Sequence, residues 1–281
     1  MDHYSLDGIT DELEKGVMNV FSCDSYRAYL AVMARFHTYS INNSILIWMQ
    51  RPDATLVAGY NTWLTRFSRN VKKGEKGIRI LAPVRKKILD EDMQERSVLS
   101  GFRTAVVFDI SQTEGKELPS YVNDRLPGIV TNYPMFICSL ILVSPAEVRF
   151  EKTNANVHGF YRTTDQVIVV SDTLSQIMTV KTLLHEITHA ILHSRNHDGS
   201  REARMLREIE AESVAYAVSR YYGIDTSAYS FGYIAGWSGS KEIPELRSSL
   251  SRIQETTSML IDMIDMIQSP AKDSRNLVFS M

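Results

Sequence analysis

The sequence predicts an α+β protein in two parts: N-terminal helices with a small antiparallel sheet, then a helix/sheet domain built around one histidine-bearing helix. Three observations predict it. Apolar residues recur at helical spacing over residues 6–20, 24–37 and 39–50. Short β-type runs broken by Gly and Pro fill residues 57–109. A His-Glu-x-x-His sequence at His185, Glu186 and His189 sits in a further helical stretch, and a long helical segment, residues 201–222, follows it. With 281 residues the chain can bury one large core or two modest ones. A formal charge of −2 with 44% hydrophobic residues excludes a disordered or wholly basic chain. Cys23 and Cys138, with no Cys-x-x-Cys pair, indicate neither a disulfide framework nor a thiolate metal site. The first residues lack the basic and apolar regions of a signal peptide, and the longest apolar run, Met135–Val143, is too short to span a bilayer. A cytoplasmic protein with no membrane partner is expected.

In chain order, Ser22 or Asp24 can cap the second helix. Its Tyr26, Tyr29, Leu30, Met33 and Phe36 or His37 form a mixed aromatic stripe suited to core packing. The third helix ends at Arg51-Pro52. Asn42 and Asn43 near its start either cap it or present amides at a binding surface. From residue 57 the character changes. Val57–Trp63, a Gly-rich turn at Lys73–Gly77, and Ile78–Pro83 suggest a short strand pair or small barrel. Val84–Leu89 and Phe102–Asp109 add strands around an acidic turn, Asp90–Glu95.

Between Asn61 and Ile88 stand nine cations (Arg66, Arg69, Lys72, Lys73, Lys76, Arg79, Arg85, Lys86, Lys87) against one acid, Glu75. Tyr60, Trp63 and Phe67 are interleaved with them. Cations that track phosphates and aromatic faces that stack bases are what single-stranded nucleic acid requires of a protein. A solvated basic hairpin with core aromatics has the same composition. Ser111–Arg125, polar and containing Gly115 and Pro119, reads as a linker dividing the chain into 1–119 and 120–281. Residues 127–143 then read as a helix, and 148–152, 159–162 and 166–170 as strands ahead of the His-Glu-x-x-His helix, which begins near Leu174. Tyr161 and His158 can reach the site, although structural roles suit both better. Phe231–Trp237 reads as an aromatic loop at the cleft, and residues 246–267 as a final amphipathic helix for packing or self-association.

Within the metal-ligating helix, Val180, Leu184, Ile187 and Ile191 form one apolar stripe. His185 and His189 lie one turn apart on one face, about 6 Å along the axis, so both imidazoles can converge on one zinc ion. Glu186, one step round, can hold and deprotonate a water. A metzincin third ligand needs Gly at 192 and His at 195, where this chain has Leu192 and Arg195. His193 is about 12 Å along the helix from His185, too far to share its ion, and is expected to cap or pack the helix end. On the following helix Glu208, Glu210 and Glu212 compete. Glu208, Ala211, Glu212 and Ala215 share a closely packed face, where unpaired carboxylates are costly. Glu210, about 200° from Glu208, is expected to face solvent.

His-Glu-x-x-His followed about twenty residues later by Glu208-Ile-Glu-Ala-Glu212 resembles the gluzincin-like metallopeptidases, including the ImmA/IrrE type. The resemblance implies Glu208 as third ligand and Glu212 as the brace of a ligand histidine, although many relatives have Asp or Asn at the latter position. In the N-terminal half, Tyr39–Ile47, Gln50–Ala54, Val57–Tyr60, Trp63, Val71–Ile78, Ala82-Pro83 and Val107–Thr113 resemble the single-stranded-DNA-binding domain of ArdC-type antirestriction and LtrC-like proteins. That family pairs this domain with a zincin-like one. The resemblance implies a mobile-element protein that binds single-stranded DNA through Asn42, Asn43, Tyr60, Trp63, Arg66, Arg69, Lys72, Lys73, Lys76 and Arg79. It also implies a zinc metallopeptidase that protects DNA entering by conjugation. Two other readings stay open: a regulatory protease that cleaves a repressor, and a DNA-binding protein whose metal site is not catalytic.

Overall fold

The computed structural model describes residues 6–21, 23–89, 95–118, 132–154, 156–195, 198–224, 234–239 and 241–269. Helices α1 (Leu6–Val20), α2 (Cys23–Arg35) and α3 (Ile41–Gln50) follow the sequence periodicity. Ile9, Leu13 and Val17 of α1 recur every four residues and are buried, as are Tyr26, Tyr29, Leu30 and Met33 of α2. Ser40 caps α3, its hydroxyl accepting from the Asn43 amide at 3.4 Å.

Strand β1 (Val57–Gly59) stops where a short helix α4 (Tyr60–Thr65) begins, so the expected strand through Trp63 is only half strand. Tertiary burial decides this. The turn of helix carries Trp63 fully inside, where its Nε1–H donates to the Phe108 carbonyl at 2.9 Å. Next come β2 (Arg69–Val71), β3 (Ile78–Leu89), β4 (Glu95–Asp109) and β5 (Thr113–Gly115). The antiparallel sheet runs β1-β4-β3, and β2 pairs separately with β5. Ile78–Leu89 is one strand, with the register shifting between Val84 and Arg85 opposite Gly101, whose φ of 154° suits glycine. Pro83 is tolerated because β3 is an edge strand. That edge is covered, in part, by α3. The Asn43 side-chain amide both donates to and accepts from the Leu81 backbone (2.9 and 2.8 Å), and Gln50 does the same with Arg79 (2.9 Å each).

The segment after β4, expected as the start of a linker, is instead pinned. Asp109, 2% exposed, accepts from the Thr55 and Leu56 amides (2.7 and 3.1 Å) and from the Ser111 amide and hydroxyl (2.9 and 2.6 Å). The rest of the expected linker, residues 119–125, the boundary at 119/120 and the start of the expected helix 127–143 lie outside the described residues.

The C-terminal half comprises α5 (Tyr133–Val143), β6 (Glu147–Glu151), β7 (Gly159–Arg162), β8 (Val167–Ser171), α6 (Gln176–Leu192), α7 (Arg201–Tyr221), α8 (Ile234–Ser238) and α9 (Ile243–Gln268). Its sheet, ordered β6-β8-β7, is mixed: β6 is parallel to β8 and β7 antiparallel. β8 is the buried middle strand, with Val167–Val170 all apolar. Ser175 and Ser200 cap α6 and α7. The expected aromatic loop Phe231–Trp237 lies partly outside the described residues; its last part is α8, with Trp237 buried. One large core joins α1–α3 to α5–α9 and β8, and a smaller one of Val32, Phe36, Ile47, Val57, Ile78, Ile80 and Val107 lies under the N-terminal sheet. Helix α9 ties the halves together: Arg247 donates to Asn42 at 2.8 Å and Gln254 to Ser44 at 3.3 Å.

Burial opposes ionisation of Asp109, but the hydrogen bonds from Ser111, Thr55 and Leu56 outweigh it and hold the carboxyl below the ordinary aspartate range. Its contribution is therefore present at neutral pH and disappears as pH falls through that lowered value. Asp109→Ala is expected to cost about 3 kcal/mol in urea unfolding at pH 7, and the gap to wild type to narrow only below about pH 4.

Candidate metal centre

Helix α6 buries Val180, Leu183, Leu184 and Ile187 completely, which turns His185 and His189 toward α7. Ala211 and Ala215, both 0% exposed, let α7 approach closely. The imidazole Nε2 atoms face each other at 3.0 Å. One Glu208 oxygen lies 3.4 Å from the His185 Nε2 and the other 3.5 Å from that of His189. Donors placed about 2.0–2.1 Å from one tetrahedral ion are spaced about 3.3 Å apart, so these three side chains have the spacing that a divalent cation demands. They form a group able to hold a metal ion.

The groups behind them are buried. Glu212 bridges His185 and Lys181: its oxygens lie 3.4 Å from the His185 Nδ1 and 2.7 Å from the Lys181 Nζ. An acceptor at Nδ1 fixes the imidazole tautomer with Nε2 free as a ligand. Burial resists a charge on His185, but hydrogen bonds to Glu208 and Glu212 prevail and lift it to about 9. The same two imidazoles hold Glu208 far below the ordinary carboxylate range. A proton and a metal cation thus compete for one lone pair. Glu186 is 8% exposed; burial raises its pKa, opposed by the neighbouring histidines and by a hydrogen bond from the Tyr161 backbone on β7.

Glu210 corrects the sequence reading. It does point away from Glu208, yet that face of α7 is covered by α9 and not by water. Glu210 is 1% exposed and accepts from Arg252 at 2.6 and 2.8 Å, with the His193 Nε2 3.6 Å away. His193 ends α6 as a buried cap residue, and burial depresses its pKa to about 4. Lys181 is the side chain that the sequence reading missed. Its signal was present, since it lies four residues before His185 on the ligand face.

The ten side chains expected at a DNA surface divide. Asn43, Trp63, Arg69 and Arg79 are engaged within the protein: Asn43 and Trp63 as described, Arg69 with Thr113 (2.7 Å to Oγ1), and Arg79 with Glu12 (3.6 Å), while Lys72, though exposed, donates to the Ser111 carbonyl (2.9 Å). Asn42 accepts from Arg247. Tyr60, Arg66, Lys73 and Lys76 are exposed. Phe102 and Val106, not singled out from the sequence, are also exposed, on β4.

Residues 4–108 match the family model for the N-terminal domain of the anti-restriction factor ArdC. Residues 145–219, which include every side chain of the metal group, match that of the IrrE N-terminal-like domain of peptidase family M78. The chain is ArdC-like. Two crystal structures of the antirestriction protein ArdC from plasmid R388 share its fold. The Mn(II)-bound form has a TM-score of 0.56 at 16% identity over 95% of this chain and 98% of that one. The metal-free form has a TM-score of 0.52 at 19% identity over 82% and 87%. An uncharacterized protein of Bacillus anthracis is 28% identical over 275 residues, or 83% of this ArdC-like chain and 46% of the relative. The chain therefore spans about half the length of that relative. Among its described residues no helix is long and apolar enough to cross a membrane.

Lys181 and Glu212 are 13% and 12% exposed, so removing one partner strands a buried charge. Lys181→Met is expected to cost about 3 kcal/mol in urea unfolding, and Lys181→Met/Glu212→Met less than the sum of the two single changes.

Proposed function

We propose that this ArdC-like chain is a cytoplasmic antirestriction protein of a mobile element, joining a single-stranded-DNA-binding surface to a zinc metallopeptidase site. The observation that carries the peptidase reading is the donor set itself: His185, His189 and Glu208 spaced 3.0–3.5 Å apart, with the buried carboxylate of Glu186 beside them. These three residues would hold zinc, and the related ArdC of plasmid R388 has been crystallised with Mn(II). Bound there, the metal supplies Lewis acidity toward a peptide carbonyl and toward water.

The remaining work falls to the chain's own groups. Glu186, with its affinity for a proton raised by burial, takes the proton of an attacking water and returns it to the leaving amine. The Tyr161 amide holds the Glu186 carboxylate in place. Glu212 and Lys181 keep the His185 ring oriented. Strand β7 pairs only with β8 among the described residues, so its outer side can take an extended peptide by main-chain hydrogen bonds. The DNA reading is supported by the match of residues 4–108 to the ArdC N-terminal domain and by the exposed Tyr60, Arg66, Lys73 and Lys76.

Elemental analysis of the purified protein is expected to find one zinc per chain, lost in Glu208→Ala. Glu186→Gln is expected to retain metal and single-stranded DNA while losing peptide hydrolysis by about 10²–10⁴-fold. Hydrolysis that survives this change would remove Glu186 from the mechanism. Undiminished protection of conjugating DNA by Glu186→Gln would assign antirestriction to DNA occupancy alone.

A further inference from the structure

Two segments about twenty residues apart in sequence, Gln50–Asp53 after α3 and Lys73–Lys76 between β2 and β3, meet across an open cleft of about 590 Å³ floored by Gln112. Arg51, Lys73 and Lys76 bring three positive charges to its walls, and Asp53 and Glu75 bring two negative ones. The acids are already engaged. Asp53 lies 3.7 Å from the Arg51 Nε, and Glu75 accepts from the Gln112 Nε2 at 2.9 Å. Gln112 is itself fixed by donating to the Lys76 carbonyl at 2.7 Å and accepting from the Asp109 amide at 2.9 Å, so the floor is rigid. Lys73 and Lys76 are exposed and have no anionic partner among the described residues. Among the described residues no aromatic side chain lines the cleft to stack a base.

Stacking surface begins next door. Gly77, following Lys76, lies beneath Val106 and Phe108, and a side chain there would clash with Val106 and press tightly on Phe108. Phe108 packs edge-on to Tyr60 at 6.4 Å. Tyr60, Val106 and Phe102 are 55, 49 and 50% exposed, an unusually apolar strip for the outer face of a small sheet.

We propose that the cleft is a phosphate site for a nucleic-acid strand, with Lys73 and Lys76 holding one sugar–phosphate unit whose neighbouring bases run over the Tyr60–Phe108–Val106–Phe102 strip. The proposal rests on the single-stranded-DNA reading above and locates the strand on the protein. The phosphate is either an internal phosphodiester or a 5′-terminal phosphate, two sources with one recognition chemistry.

Fluorescence anisotropy with 3′-labelled oligo-dT, on the full chain across a salt series, tests it. Lys73→Gln/Lys76→Gln is expected to raise the Kd at least tenfold and to flatten the slope of log K against log salt by about 1.4, the value for two lost contacts to a single strand. Arg85→Gln/Lys86→Gln removes the same charge from the β3–β4 arm beyond the bulge and is expected to change the Kd less than threefold. Equal losses in the two variants, or no loss in the first while wild type binds, would overturn the cleft and leave DNA binding standing. Failure of wild type to bind would overturn both. Competition by circular single-stranded DNA as strong as by a linear oligonucleotide identifies an internal phosphodiester, and a preference for 5′-phosphorylated over 5′-hydroxyl ends identifies a terminal one. Either result supports the cleft. Unchanged urea midpoints establish that the variants fold.

Discussion

The close packing of α7 on α6 is the constraint on which the rest of this structure depends. Ala211 and Ala215 of α7 are fully buried and small, and the packing brings a carboxylate of α7 between two imidazoles of α6. The α-helix then distributes its three glutamates by geometry alone. Glu208 reaches the histidine pair and stays partly in solvent. Glu212, one turn on, is buried behind His185 and neutralised by Lys181. Glu210, on the opposite side, meets Arg252 of α9. Three carboxylates spaced two residues apart thus have three electrostatic fates, each set by the neighbour that the helix face meets.

The same helix joins the two halves of the chain. Tyr26 of α2 hydrogen bonds to Ser213 at 2.7 Å, one residue beyond Glu212, and α1–α3 bury their apolar faces in the core that supports the metal group. The N-terminal sheet hangs from this helical body by side-chain amides: Asn43 and Gln50 each satisfy a backbone donor and acceptor of β3. Beyond them the β3–β4 arm, with Ile88, Leu99 and Phe102 exposed, extends without cover among the described residues. The helical body that carries His185, His189 and Glu208 therefore presents a sheet whose outer face and adjoining cleft are open among the described residues.

Legibility in the sequence followed the range of the interaction involved. Periodicity located α1–α3, α6, α7 and α9 within a few residues, because amphipathic burial imposes its period on the chain directly. His185 and His189 were readable for the same reason: their juxtaposition is a property of one helix turn. Glu208 required the resemblance to gluzincins, since nothing local decides which of three glutamates meets another helix. Glu210 was misread because the face of α7 opposite the histidines is solvent only until α9 covers it. Trp63 shows the same limit for the DNA surface. Tryptophan among lysines suggests stacking, yet its indole N–H found a carbonyl inside the fold, and Phe102 and Val106 remain outside.

By itself, then, the sequence determined what depends on neighbours in the chain: the helices, the antiparallel run of β3 and β4, and a two-histidine face with Glu186 beside it. Only the tertiary structure decided which carboxylate completes that face, which cations are tied to backbone carbonyls and which stay open, and that Gln50–Asp53 and Lys73–Lys76 line one cleft. The physical reason is the same in each case. Burial and pairing of a charge depend on what a distant segment brings against it, and one-dimensional spacing carries no record of that partner.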